Sequence, residues 1–268
     1  MAQGVGVDIG LLTESALRLA FFFGVFATCG VFEWWAPRRK QERWQRWISN
    51  IGVSALNQLT VRLIVPITGV QLASLVEEAG WGLLNWASLP MVPSMLVAVL
   101  LLDLVIYVQH RVYHLVPLLW RFHRMHHADT QLDVTTGVRF HPVSILLSAL
   151  IKLGAICIIG PSALAVLIFE VLLNATSLFN HSNIKIPAIL DRTLRLVVVT
   201  PDMHRVHHSI LNEEMNRNFG FNFPWWDRLL GSYHAQPGMG HEDMQLGLEQ
   251  FRDAEEIRLI RMLSQPFR

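Results

Sequence analysis

Gln109–Asp129 reads QHRVYHLVPLLWRFHRMHHAD, and this stretch decides how the chain is read. It places His110 and His114 as HxxxH, then His123, His126 and His127 as HxxHH. A second HxxHH, His204, His207 and His208, lies far downstream in TPDMHRVHHS. On a helix, positions i, i+3 and i+4 share a face, so each motif aims its imidazoles in one direction. Eight of the twelve histidines fall in these three motifs. A single HxxxH is ordinarily a surface or partly buried pair. Crowded cationic imidazoles repel, however, so three such motifs together point to ligation of metal.

Working outward, the 268 residues are 52% hydrophobic and 16% charged, with a mean hydropathy of +0.35. Soluble domains carry nearer a quarter charged residues, so an integral membrane protein is expected. The net charge of +1 is uninformative, and beyond one local cluster there is no basic tract suited to nucleic acid, which is not an expected partner. Cys29 and Cys157 sit in apolar runs and are too few for a four-thiolate cluster. The first ten residues lack a basic leader region, so no cleavable signal peptide is expected.

Apolar runs at Leu11–Trp35, Ile51–Val76 and Val92–Val108 predict three spans. Arg38, Arg39, Lys40, Arg43 and Arg46, interleaved with Trp44 and Trp47, read as a cytoplasmic anchor at headgroup level. The 77–90 link has no Lys or Arg and suits the outer side. The third span then runs into His110 on the side of the basic cluster. Val143–Gly160 and Pro161–Phe179, joined by Gly-Pro, predict a helical hairpin that dips into or crosses the bilayer. From Ile184 the chain reads as soluble in character. Leu246–Leu263 predicts an amphipathic helix on the cytoplasmic surface. The expected fold is all-α: an integral membrane helical bundle with a cytosolic, histidine-rich di-metal cap. Its expected units are N-terminal helices (1–91), a catalytic domain (92–235, hairpin 143–180) and a tail (236–268).

Eight or nine imidazoles exceed what one zinc takes and suit two first-row metals, whose identity the ligand type does not choose. Asp103, two turns before His110, and Asp202, two residues before His204, are candidates to accept an imidazole N–H. His181 is the candidate ninth ligand, and His141 a supporting residue. His234 and His241 are expected to be solvated.

The order HRVYH, HRMHH, RFHP, FNHSN, TPDMHRVHHS and WWDRLLGSY resembles the sterol desaturase/fatty acid hydroxylase superfamily of membrane non-haem di-iron oxygenases. The resemblance covers roughly Val92 to Tyr233. It implies two iron ions held by His110, His114, His123, His126, His127, His204, His207, His208 and His181, with zinc an alternative occupant in isolated protein. It further implies hydroxylation or desaturation of a lipid with O2 and two electrons. The chain has no ferredoxin cysteine set, nucleotide-binding glycine loop or haem domain, so an external ferredoxin- or cytochrome-type carrier with its reductase is an expected partner. The lipid is expected to reach the site from the bilayer. Two other readings stay open: a membrane di-metal hydrolase of zinc type, and a haem electron-transfer protein. The latter suits axial histidines on separate helices better than crowded triplets.

Overall fold

The computed structural model describes residues 11–42 and 44–268. The signal-peptide expectation and Arg43 of the basic cluster lie outside the described residues. Helices dominate: α1 (Leu11–Trp35), α2 (Trp44–Ile64), α3 (Gly69–Glu78), α4 (Leu83–Ala87), α5 (Met91–Leu115), α6 (Pro117–His127), α7 (Pro142–Ile159) and α8 (Ala163–His181). Shorter ones follow: α9 (Ala188–Leu194), α10 (Pro201–His207), α11 (Asn212–Met215), α12 (Trp225–Leu229), α13 (Gly240–Asp243) and α14 (Leu259–Ser264). Among the described residues there is no strand, only two isolated bridges, Pro37 with Ile184 and Ser209 with Leu246.

Among the described residues, five stretches are long and apolar enough to cross a membrane: Glu14–Trp35, Trp44–Ala87, Met91–Leu115, Pro142–Ile159 and Ala163–His181. Their order matches the three spans and hairpin read from the sequence, with one correction. The second is not one helix from Ile51 to Val76. It stops at Ile64, because Pro66 has no N–H to donate and its ring disfavours the preceding turn. Thr68 then restarts the chain with a reciprocal capping box to Gln71.

The bundle core joins α3, α5, α7 and α8 through Val70, Leu102, Ile106, Ile156, Val166 and Phe169. α1 packs on α8, and α2 packs on α7. The far end of the hairpin is held by close backbone approach. At Gly82 an added Cβ would meet Gly160 backbone at 2.5 Å, and both residues have positive φ, 101° and 67°. Lys152 of α7 and Glu170 of α8 pair with each other, and Glu170 also takes Arg18 of α1. The hairpin's polar residues are thus neutralised within the bundle instead of facing lipid.

At the opposite end sits the cap. Here the end of α1, the start of α2, the end of α5, α6, the start of α7 and the end of α8 meet. Three arginines of the basic cluster turn into the cap, a correction to their reading as headgroup anchors, while Lys40 and Trp44 stay exposed. Arg46 is buried, and its guanidinium donates to Asp129 Oδ1 and Oδ2 (2.8 and 2.7 Å) and to Asp133 Oδ2 (2.6 Å). Arg39 donates to the Met244 carbonyl (2.6 Å) and Arg38 to Asp202. Once the cap presents buried carboxylates and carbonyls, desolvated guanidiniums are held there more firmly than at a wet interface. The expected amphipathic helix over 246–263 is also absent. That segment forms a turn at 254–257 and the short α14, which seats Met262 against Val53 and Met125.

Candidate metal centre

α5 continues past its apolar run, so its last turns carry His110 and His114 directly beneath the cap. Pro117 at the first position of α6 turns the chain sharply, and α6 presents His123, His126 and His127. α8 ends on His181. Thr200 caps α10 by accepting the Met203 N–H, and α10 brings in His204 and His207, with His208 at its C-cap.

These nine imidazoles converge in two abutting groups. His110, His114, His123, His127 and His207 form one; His126, His181, His204 and His208 form the other. Within each group the candidate donor atoms lie within 4.8 Å of one another. Each HxxHH supplies both groups, and in opposite senses. The i and i+4 histidines of α6 (His123, His127) join the first group and its i+3 (His126) the second. On α10 the i and i+4 histidines (His204, His208) join the second group and the i+3 (His207) the first. The stacked rings of His127 and His208, 4.5 Å apart, mark the seam between them.

The protonation pattern follows from the hydrogen bonds. His110 and His207 donate Nδ1–H to the carbonyls of Phe219 and Arg217 (both 2.8 Å). His126 and His181 donate theirs to Arg139 and Ser177 (3.2 and 2.7 Å). A neutral imidazole so committed has only a lone pair on Nε2. Yet His207 Nε2 faces His110 Nε2 at 3.0 Å, and His181 Nε2 faces His126 Nε2 at 3.1 Å. Opposed lone pairs at that distance repel unless a cation lies between them. Both nitrogens of His123 and of His208 are buried without a hydrogen-bond partner. Burial first, and then repulsion from neighbouring imidazoles, holds His123, His126, His127, His204 and His208 well below the ordinary value of 6.5. The rings are neutral and available as ligands. The residues present therefore fit a pair of metal ions, and neither group includes a carboxylate.

The supporting residues differ from those read in the sequence. Asp103 does not reach an imidazole; it accepts from Trp226 Nε1 (2.8 Å) and Asn222 N (3.4 Å). Seven residues on α5 separate it from His110 by about 10 Å, too far for a shared hydrogen bond. Asp202 is held by Arg38 and lies 3.5 Å from Arg205, which outcompete a neutral ring. His141 caps α7, its Nδ1 accepting the Val143 N–H (3.2 Å). His241 is half-buried instead of solvated, 3.9 Å from Asp202. The tautomers of His110, His126, His181 and His207 are set by backbone carbonyls, which every residue type carries and no sequence motif marks. Asn216 Oδ1, 3.3 Å from His114 Nδ1, is the side-chain partner of a group histidine that sequence reasoning missed.

Besides the buried Phe219 and Tyr113, three aromatic rings line the walls. Phe221 lies against His110, His204 and His181 (centroids at 5.2, 5.9 and 6.4 Å), so it touches both groups. Phe140 stacks on His126 at 4.4 Å and reaches His123 at 6.5 Å. Trp120 covers His114 at 4.8 Å. All three are only partly buried, whereas eight of the nine histidines are fully buried and His114 partly.

Comparison with known proteins agrees with this arrangement. The fatty acid hydroxylase family pattern matches residues 95–232. Similar curated proteins include an ornithine lipid hydroxylase, OlsE, of Rhizobium tropici, 31% identical over 155 residues, 58% of this chain and 46% of that protein. Cholesterol 25-hydroxylase of Rattus norvegicus is 28% identical over 193 residues, 66% of this chain and 63% of the relative. Alkylglycerol monooxygenase of Homo sapiens is 26% identical over 132 residues, 47% of this chain and 27% of the relative. The matches thus span from about a quarter to under two thirds of these relatives' own lengths. No solved structure matches the chain. The matched region contains all nine clustered histidines and runs from α5 to the turn after α12, and on that ground the chain belongs to the fatty acid hydroxylase family.

Proposed function

We propose that this protein is a membrane-bound lipid hydroxylase or desaturase whose nine clustered histidines hold two iron ions. The observation that carries the reading is the pair of buried, all-nitrogen groups with opposed Nε2 lone pairs. The named relatives act on ornithine lipid, cholesterol and alkylglycerol, which supports a lipid substrate for this chain too. Bound there, iron would supply the oxidation of an unactivated C–H bond by O2 with two external electrons. Residues 92–235 are proposed as the catalytic unit.

The chain's own contribution is placement and exclusion of water. The carbonyls of Phe219, Arg217, Arg139 and Ser177 fix which nitrogen of each ring faces the ions. Phe221 and Phe140 offer the apolar surface against which an alkyl segment lies beside both groups. Phe221 also packs on the bundle core, so an alkyl chain drawn from the bilayer would find apolar side chains next to the histidines. Asn180 Nδ2 donates to the Phe221 carbonyl (3.1 Å), and Asp227 accepts the N–H groups of Phe219 and Gly220, which pins the loop. Arg139 lends its carbonyl to His126 while its Nε donates to the Met125 carbonyl (2.9 Å), locking α6 in register. His114, partly exposed beneath Trp120, is where an external electron carrier would come nearest the ions. We place the cap on the cytoplasmic side.

The test is turnover in membranes under isotopically labelled dioxygen, with lipid profiling and metal analysis of the purified protein. Label in a hydroxylated lipid, or O2 consumption matched to a new double bond, with about two irons per chain, is the expected result. Oxygen-independent cleavage of an ester or amide would replace this reading with a hydrolase.

A further inference from the structure

We infer that the segment 187–197 and helix α12, which the sequence reads as soluble, form one apolar platform embedded in the leaflet next to the cap. Their covering partner is the bilayer itself. Ile189, Leu190, Leu196, Val197, Leu229 and Leu230 are all exposed, Ile189 at 77% and Leu229 at 73%. An exposed apolar cluster of this kind on one face marks an interaction surface.

The segments act as one piece. Trp225 Nε1 donates to the Leu196 carbonyl (2.7 Å), and Arg228 Nη2 donates to the Arg195 carbonyl (3.1 Å). Arg195 in turn binds Asp191 and the Ala235 carbonyl, so the acidic residue of α9 is buried and neutralised. What remains charged on the exposed face is cationic, Arg192 and Arg228. Aliphatic side chains flanked by arginine are the composition of a helix lying in an anionic headgroup layer.

Two contacts set the depth. Trp226 donates to Asp103, which stands midway along the 25-residue α5, about 18 Å from either end. Its neighbours in sequence, Phe221 and Phe223, pack on the core of the spanning helices. α12 is therefore beside the membrane-crossing part of α5, below its cap end. At the other edge, Ile184 bridges to Pro37 and Lys185 N donates to the Ala36 carbonyl, just past Trp34 and Trp35. Those two indoles are highly exposed at the end of a span, where tryptophan marks the membrane–water boundary. α9 leaves that boundary within four residues. Both segments thus continue the lipid-facing surface of the spans, which argues for bilayer and against a water-facing cap.

The test uses the full chain in nanodiscs containing anionic lipid. Nitroxide labels are placed at Ile189→Cys, Leu229→Cys and, as a water-facing control, Glu249→Cys, each with Cys29→Ala and Cys157→Ala. The expected result is several-fold higher collision with oxygen and several-fold lower collision with a water-soluble nickel chelate at 189 and 229 than at 249. Nickel accessibility equal to that at 249 would overturn the inference, as would shielding from both reagents with spin–spin broadening, the sign of a second copy. Hydroxyl-radical footprinting of the unsubstituted chain repeats the test without mutation. Protection of Ile189 and Leu229 with labelling of exposed Met239 is expected, and equal labelling of all three overturns it. None of these readouts depends on activity or metal content.

Discussion

At the scale of single residues, the two groups differ in how much loss they tolerate. His126 belongs to the group of four and His207 to the group of five. Removing His126 leaves three imidazoles; removing His207 leaves four, still the usual count for a closed site. His126→Ala is therefore expected to lower bound metal from about two ions to about one, and His207→Ala to lower it less, both with most activity lost. Metal analysis of the two purified variants checks the order, and equal metal content in His126→Ala and the parent would deny His126 its ligand role. Phe221 tests placement apart from ligation. Phe221→Ala should keep metal content while broadening the set of carbons oxidised, because an alkyl chain loses one wall beside both groups. Mass spectrometry of product isomers reads this, and an unchanged product from a fully metallated variant would remove Phe221 from substrate placement.

At the scale of elements, α2 is tied to α6 and the loop after it by buried ions as well as by the small apolar cluster of Val53, Met125 and Met262. Arg46 reaches Asp129 and Asp133, both buried, just beyond the last histidine of α6. Burial alone would raise the Asp129 carboxyl, but the Arg46 and Arg139 guanidiniums and the hydrogen bonds from Arg46 and Thr136 hold it down at about 2. Arg46→Met would strand two carboxylates out of water, a cost on the order of 3–5 kcal/mol. A clear fall in melting temperature in detergent is expected, and an unchanged melt would show the clamp to be dispensable. The sequence shows these same arginines as a basic run beside tryptophans. That pattern is equally good for a membrane anchor, because sequence reports the charge but not whether a carboxylate is brought to it. The break at Pro66 is legible in outline, since proline stops the helix, but the length of the restarted α3 is set by Thr68 capping and by packing on α7 and α8.

At the scale of the whole molecule, a metal pair held by the two groups would cross-link α5, α6, α8 and α10, through histidines spread over nearly a hundred residues of sequence. A ligand that binds only the folded chain stabilises it by mass action. Treatment with a strong chelator should therefore lower the melting temperature and loosen α10, a short helix that lends His204 and His207 to the two groups. Hydrogen exchange with and without chelator checks this; no change in α10 protection would mean that the cap is preformed without the ions.

By itself the sequence determined the helical membrane class, the hairpin, the family and the identity of all nine converging histidines. Helix periodicity and hydropathy are local properties; three short motifs carry eight of the imidazoles, and His181 in FNHSN is the ninth. Only the tertiary structure decided how the nine divide into five and four, each HxxHH split between both groups. The 3.6-residue turn puts i and i+4 on one line and i+3 to its side, but which line meets which partner depends on how α6 and α10 face each other. The same holds for Asp103, Asp202 and Arg46. Each is a charge in the sequence, and the fold alone chose its counterpart, because desolvation makes a buried charge take the nearest strong partner that packing brings.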